Sequence, residues 1–243
     1  MYNKTVLITG AAKRIGAAVT RYLHKEGMNV IVHFNSSAKE AHELVRELNS
    51  LRHDSAITIQ GDLQYKEYYS ALMEAAIEFK GGIDVLINNA SAFFPTPVSD
   101  INDTQWNQLI NTNLKAPLFL SQLATKTLKK NKGCIINIID IHADRPLAQH
   151  SIYSISKTGL IMLTQSLAKE LAPDIRVNSV SPGAIVWPES MDDKTKQSII
   201  NQTMLKRAGD VDDVSKAVMY LIRDADYVTG QIINVDGGRT LYS

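Results

Sequence analysis

The chain has 243 residues, of which 44% are hydrophobic and 21% charged, enough for a sizeable core and too apolar for an intrinsically disordered chain. Lys and Arg number 26 against 25 Asp and Glu, so the basic excess that nucleic-acid phosphates demand is absent. A single cysteine, Cys134, excludes an internal disulfide and fits a reducing compartment. No run reaches the roughly 18 apolar residues of a membrane helix, and the apolar start is too short for a signal-peptide core. A cytoplasmic protein with no nucleic-acid or membrane partner is expected.

In chain order, a strand is predicted at Thr5–Thr9, a helix at Ile15–Glu26, a strand at Asn29–His33 and a helix at Ala38–Leu51. A strand at Ala56–Gln60, a helix at Lys66–Phe79, a strand at Asp84–Ile87 and a helix at Trp106–Lys130 follow. The second half reads as strand Cys134–Ile139, helix Ile152–Leu171, strand Arg176–Val180, helices Asp192–Gln202 and Val211–Ile222, and strand Gln231–Val235. The strand runs are Val- and Ile-rich and continuously apolar, the pattern of parallel strands covered on both faces. Strand and helix alternating in this way predict one α/β domain over residues 1–243. It would be a doubly wound parallel sheet (a Rossmann fold) of about seven strands with helices on both faces. The helix-poor stretch Ser181–Glu189 is short enough to be an active-site loop.

Between the first strand and first helix lies Thr9-Gly10-Ala11-Ala12-Lys13-Arg14-Ile15-Gly16. Glycine at both ends of such a turn lets backbone approach a pyrophosphate, with helix N–H groups facing the anion. A position often held by a middle glycine is Arg14, which adds a planar donor fork near the phosphates. NAD sites usually place a carboxylate at the end of the second strand, to bond the ribose 2′-OH. Here the run is His33-Phe34-Asn35-Ser36-Ser37. Small polar donors with Lys13 and Arg14 suit a 2′-phosphate, so NADP(H) is expected.

Tyr153 and Lys157 stand at i and i+4 on one helix face. A lysine cation beside a phenol favours the phenolate and lowers its pKa, making Tyr153 a candidate proton donor or acceptor. His142, Asp144 and His150 make no metal-ligand spacing, so no metal is expected and these residues read as loop surface.

These elements together resemble the short-chain dehydrogenase/reductases over essentially the whole length. The matching residues are the Thr9–Gly16 turn, Asp62-Leu63, Asn88-Asn89-Ala90, Asn113, Tyr153 with Lys157, and Pro182-Gly183. The resemblance implies that Asp62 and Leu63 lie near the adenine and that Asn89, Ala90 and Ser91 flank the cofactor. It places Pro182 and Gly183 by the nicotinamide and Lys157 on its ribose, with Asn113 supporting a water relay. It also implies a homotetramer through the helices around Asn113–Lys130 and Ile152–Leu171, with Arg239 near a subunit interface.

Three departures resemble the pteridine reductases: Arg14 in the turn, Ser91-Ala92-Phe93-Phe94-Pro95 after Asn89-Ala90, and Asp140 at the end of the fifth strand, where most of the superfamily has serine. The resemblance implies an NADPH-dependent reduction of a dihydropterin, biopterin or dihydrofolate-like substrate. Phe93 would stack on the pterin, with Phe94 in the core, Ser91 and Arg14 at the pterin's edges and Trp187 lining its pocket. Reducing C=N needs hydride to carbon and a proton to nitrogen. A buried aspartic acid with a raised pKa can supply that proton, alone or as a unit with Tyr153. Met191-Asp192-Asp193-Lys194 would open a lid helix. The alternatives are a 3-oxoacyl-type carbonyl reductase, which Asp140 and Phe93 disfavour, and a catalytically silent NADP(H)-binding sensor. Intact Tyr153, Lys157 and Asn113 disfavour the sensor.

Overall fold

The computed structural model describes residues 1–187 and 191–242. Seven strands form one parallel sheet: β1 (Thr5–Ile8), β2 (Asn29–Phe34), β3 (Ala56–Gln60), β4 (Val85–Asn88), β5 (Cys134–Ile138), β6 (Arg176–Pro182) and β7 (Ile232–Val235). Their order is β3-β2-β1-β4-β5-β6-β7, the Rossmann arrangement with its crossover between β1 and β4. The helices are α1 (Arg14–Lys25), α2 (Ala38–Leu51), α3 (Glu67–Lys80), α4 (Asp103–Ile110), α5 (Ala116–Asn131), α6 (Ser151–Leu171), α7 (Asp193–Asn201) and α8 (Val211–Arg223).

Period-two alternation divides each central strand between two cores. Val6 and Ile8 join Val30, Val32, Leu23, Leu44 and Val218 on the face covered by α1, α2 and α8. Leu7, Ile31 and Leu86 join Leu72, Leu120 and Leu167 on the face covered by α3, α5 and α6. Each large aliphatic side chain taken fully out of water contributes about 1.5–3 kcal/mol. Burial on both sides is why these strands read as unbroken apolar runs.

The single helix expected over Trp106–Lys130 is two helices joined by a π-turn at Asn111–Lys115. Pro117 has no N–H with which to give the Asn113 carbonyl its α-helical bond, and the Ala116 N–H reaches back to Asn111 instead. The wider turn carries Asn113 into the protein, where it is 1% exposed. The expected Ser181–Glu189 loop is shortened by β6, which runs to Pro182. Its Pro188 and Glu189 lie outside the described residues. Among those residues no helix is long and apolar enough to cross a membrane.

Candidate active site

A cleft of about 760 Å³ opens at the carboxyl ends of the strands. The β1 and β4 chain ends meet there in register, with Ile8 paired to Ile87. Thr9 Oγ1 accepts the N–H groups of Asn89 and Ala90, each at 3.0 Å. The Asn89 amide donates back to the Thr9 and Gly10 carbonyls. The β4 end therefore clamps the loop that follows β1.

The loop itself is a cradle without room for side chains. A Cβ on Gly10 would stand 2.8 Å from the Ala90 Cα, and one on Gly16 would collide with the Gly10 carbonyl and the Asn89 amide. Arg14 holds a left-handed φ of +52°, which accounts for glycine being common at this place in such loops. No side chain caps α1 and its first turn carries no acid. Its leading N–H groups thus remain open to an anion. These features fit a dinucleotide pyrophosphate.

The cleft is lined by Gly10, Lys13, Arg14, Ile15, Gly16, His33, Asn35, Asp62, Leu63, Asn89, Ala90, Ser91, Pro182 and Gly183. Three of the expected cofactor contacts fall elsewhere. Phe34 points to the opposite face of β2 from His33 and is buried in the core beside His42. Ser36 and Ser37 lead into α2 and are not part of the lining. His33 is buried and works from beneath. Its Nδ1 accepts the Gly10 N–H at 3.2 Å and its Nε2 lies 3.0 Å from the Gly61 carbonyl. That pattern requires the neutral ring with its proton on Nε2. Burial pushes the His33 pKa down to about 4. Lys13 pairs with Glu40 at 2.8 Å, a partner across the α1–α2 surface that sequence reading did not find.

At the other end of the cleft, β5 delivers Asp140 and α6 delivers Tyr153 and Lys157. The Tyr153 hydroxyl donates to Asp140 Oδ2 at 2.7 Å, while Asp140 Oδ1 accepts the His142 N–H at 2.9 Å. The carboxylate thus caps a short 3₁₀ turn and holds the tyrosine at once. Lys157, 2% exposed, donates to the Ile138 carbonyl at 3.2 Å. Asn113 does not line the cleft. It brackets the Ala92 backbone with bonds of 2.8 and 3.0 Å and donates to Ser156 at 3.1 Å.

The expectation that Lys157 would lower the Tyr153 pKa is overturned. Burial and the Asp140 charge push the phenol up, with Ser91 pulling weakly the other way. Lys157 Nζ lies 5.7 Å from the ring centroid, and burial lowers its own pKa to about 8. Tyr153 is therefore held as a neutral phenol that donates a hydrogen bond to Asp140 and gives up its proton reluctantly.

Phe93 is 53% exposed in the cleft wall, whereas Phe94 packs with Leu109, Ile152 and Tyr153. The Phe93 ring stacks on His150 at 4.7 Å and 15°, and meets Tyr153 edge-on at 4.8 Å. His142 and His150, read from sequence as loop surface, thus belong to the site: His142 lines the cleft and His150 backs Phe93. Leu147, Trp187, Met191, Ile199 and Arg239 also line the cleft. Among the described residues no cluster of His, Cys, Asp or Glu is placed to hold a metal.

An enoyl-(acyl carrier protein) reductase family model matches residues 10–240. Pteridine reductase 1 of Leishmania tarentolae is 36% identical, over 97% of this chain and 96% of that protein. 3beta-Hydroxysteroid dehydrogenase 1 of Eggerthella lenta is 34% identical, over 99% and 95%. The 3-oxoacyl acyl-carrier-protein reductase of Staphylococcus aureus is also 34% identical, over 97% and 98%.

Proposed function

Because this chain belongs to the short-chain dehydrogenase/reductase superfamily, we propose that it is an NADPH-dependent reductase of a dihydropterin. The observation that carries this reading is the 2.7 Å bond between the Tyr153 hydroxyl and Asp140. A carbonyl reductase needs one phenolic proton for an alkoxide. A C=N acceptor needs a proton at ring nitrogen, and a carboxyl group beside the phenol can relay it.

When bound, NADPH supplies the hydride. The Gly10–Gly16 cradle and the uncapped start of α1 would hold its pyrophosphate, and Lys157 would reach its nicotinamide ribose. If Tyr153 gave up its proton while Asp140 was ionised, phenolate and carboxylate would face each other at bonding distance, which their mutual repulsion opposes. Delivery is therefore assigned to the pair carrying two protons. Asp140, half-buried at the cleft wall, collects one from solvent and passes it on, and Tyr153 steadies the carboxyl throughout. Phe93 offers a flat surface for the pterin, with Ser91 and Arg14 at its edges.

The same reading places the protein in the cytoplasm as a homotetramer. Leu118 on α5 and Ile155 and Met162 on α6 are exposed apolar side chains suited to helix–helix contacts between subunits. A second reading, a 3-oxoacyl-type reductase, draws on the nearly equal identity to the staphylococcal relative. NADPH oxidation measured with dihydrobiopterin, dihydrofolate and an acetoacetyl thioester separates the two. Turnover of a pterin and not of the thioester is the expected result, and the reverse pattern overturns the pterin reading.

A further inference from the structure

We propose that Arg239 is an anion-binding subsite of the cleft, built to take a carboxylate on the tail of a pterin substrate. This rests on the pterin reading above and deepens it: the substrate would be an acidic, folate-like pterin and not one with an uncharged side chain.

Among the described residues four Lys or Arg side chains line the cleft: Lys13, Arg14, Lys157 and Arg239. Three are committed. Lys13 pairs with Glu40, Arg14 donates to the Val186 carbonyl at 3.0 Å, and Lys157 donates to Ile138 beneath Tyr153. Among the described residues, the Arg239 guanidinium has no hydrogen-bond or ion-pair partner. Among the described residues two carboxylates line the cleft, and both are engaged elsewhere. Asp62 caps the Gln64 N–H at 2.9 Å, and Asp140 uses both oxygens. The nearest acid in sequence, Asp236, turns inward onto the Gly238 and Thr240 N–H groups and the Thr240 hydroxyl.

The backbone around Arg239 is fixed. It begins a short 3₁₀ turn, Arg239–Leu241, after Gly238 at a left-handed φ of +78°. A chain of bonds ties that turn to the catalytic strand end. The Tyr242 N–H donates to the Arg239 carbonyl, and the Arg145 guanidinium donates to the Tyr242 carbonyl. The Arg145 carbonyl meets the His142 ring at 3.0 Å, and the His142 N–H is held by Asp140.

The position excludes service to the cofactor's phosphates at the start of α1. The turn follows β7, which lies four strands from β1 in the sheet, about 19 Å away at the usual strand spacing. The same cleft carries the apolar side chains of Leu147, Trp187, Met191 and Ile199 beside Phe93 and Arg239. A flat ring against Phe93, an apolar or aryl spacer and a terminal carboxylate match these three kinds of surface in one cleft. An arginine fork in a partly desolvated wall binds a carboxylate with two parallel bonds.

The test is steady-state kinetics at saturating NADPH with dihydrofolate, dihydrobiopterin and a dihydroneopterin phosphate, on wild type and Arg239→Gln. The expected result is a fall of about tenfold in the ratio of kcat/KM for dihydrofolate to that for dihydrobiopterin, carried by KM. The wild-type ratio should also shrink as salt is raised, and Arg239→Lys should retain part of it. Equal losses on both substrates, or none, overturn the subsite. A loss confined to the phosphate ester overturns the carboxylate assignment. If no pterin is turned over, the parent reading fails. The subsite is then judged by quenching of tryptophan fluorescence with p-aminobenzoylglutamate: saturable binding in wild type that is weakened in Arg239→Gln supports it, and equal or absent binding overturns it.

Discussion

The His33 imidazole accepts the Gly10 N–H at 3.2 Å, so a buried ring under the sheet's end sets the first residue of the phosphate cradle. Protonating that ring would place two donors face to face. Burial holds its pKa near 4, against about 6.5 in an unfolded chain. The unfolded state therefore binds the extra proton first. This contribution to stability is complete above about pH 6.5 and is lost as pH falls toward 4. Its size is of order 3 kcal/mol at about 1.4 kcal/mol per pKa unit. Thermal melts between pH 7 and 4.5 should show Tm falling in wild type, and a shallower fall in His33→Gln. Identical slopes would remove His33 from this role.

Asp140→Asn preserves shape but removes the proton store. NADPH affinity should persist while kcat for a dihydropterin drops by at least about 100-fold, the usual scale for a lost general acid. Tyr153→Phe should lower kcat less than Asp140→Asn does, since the carboxyl assigned to proton delivery remains and only its hydrogen-bond partner is lost. An Asp140→Asn variant with near wild-type turnover would sink the assignment.

Burial lowers the Lys157 pKa to about 8, and the Asp140 charge acts against that fall. The ammonium is present below that value and absent above it. NADPH binding should therefore weaken as pH rises through about 8, and the midpoint should move lower in Asp140→Asn. Titrating NADPH fluorescence enhancement from pH 6.5 to 9.5 tests both statements, and an unmoved midpoint would show that Asp140 does not influence Lys157.

How much of this was legible in the sequence follows from which interactions are local. The seven strands stood out because burial on both faces leaves no polar interruption in runs such as Val6-Leu7-Ile8. The same two-sided burial hid which of His33 and Phe34 faces the cleft, since neither neighbour is marked as solvent-facing. Tyr153 and Lys157 were visible as an i, i+4 pair. The direction of the tyrosine shift was not, because it depends on burial and on Asp140, which arrives from a different strand. The Lys13–Glu40 and Phe93–His150 pairs join separate segments and leave no spacing signal.

Glu40 bears on cofactor choice. It is exposed and holds Lys13, which lines the cleft, at 2.8 Å. A phosphate at that place would have to draw Lys13 away. Glu40→Gln should therefore tighten NADPH by about threefold, within the range of an exposed ion pair, and leave NADH affinity unchanged. The gain should fade as salt is raised. Equal effects on the two cofactors would place the 2′-phosphate away from Lys13.

Phe93 and His150 form a layered pair, with ring centroids 4.7 Å apart and 15° between their planes, so the imidazole covers one face of the phenylalanine ring. A planar substrate stacked on such a ring gains about 1 kcal/mol beyond its area burial. Phe93→Ala should raise the pterin KM by about fivefold or more, in line with that energy, with NADPH affinity retained. His150→Ala leaves the ring in place but removes its backing, so KM should rise by a smaller factor while kcat changes little. His150→Phe restores an aromatic support and should recover KM. A His150→Ala variant that lost kcat and kept KM would show that the imidazole acts on Tyr153 through Phe93 and not on the substrate's seat.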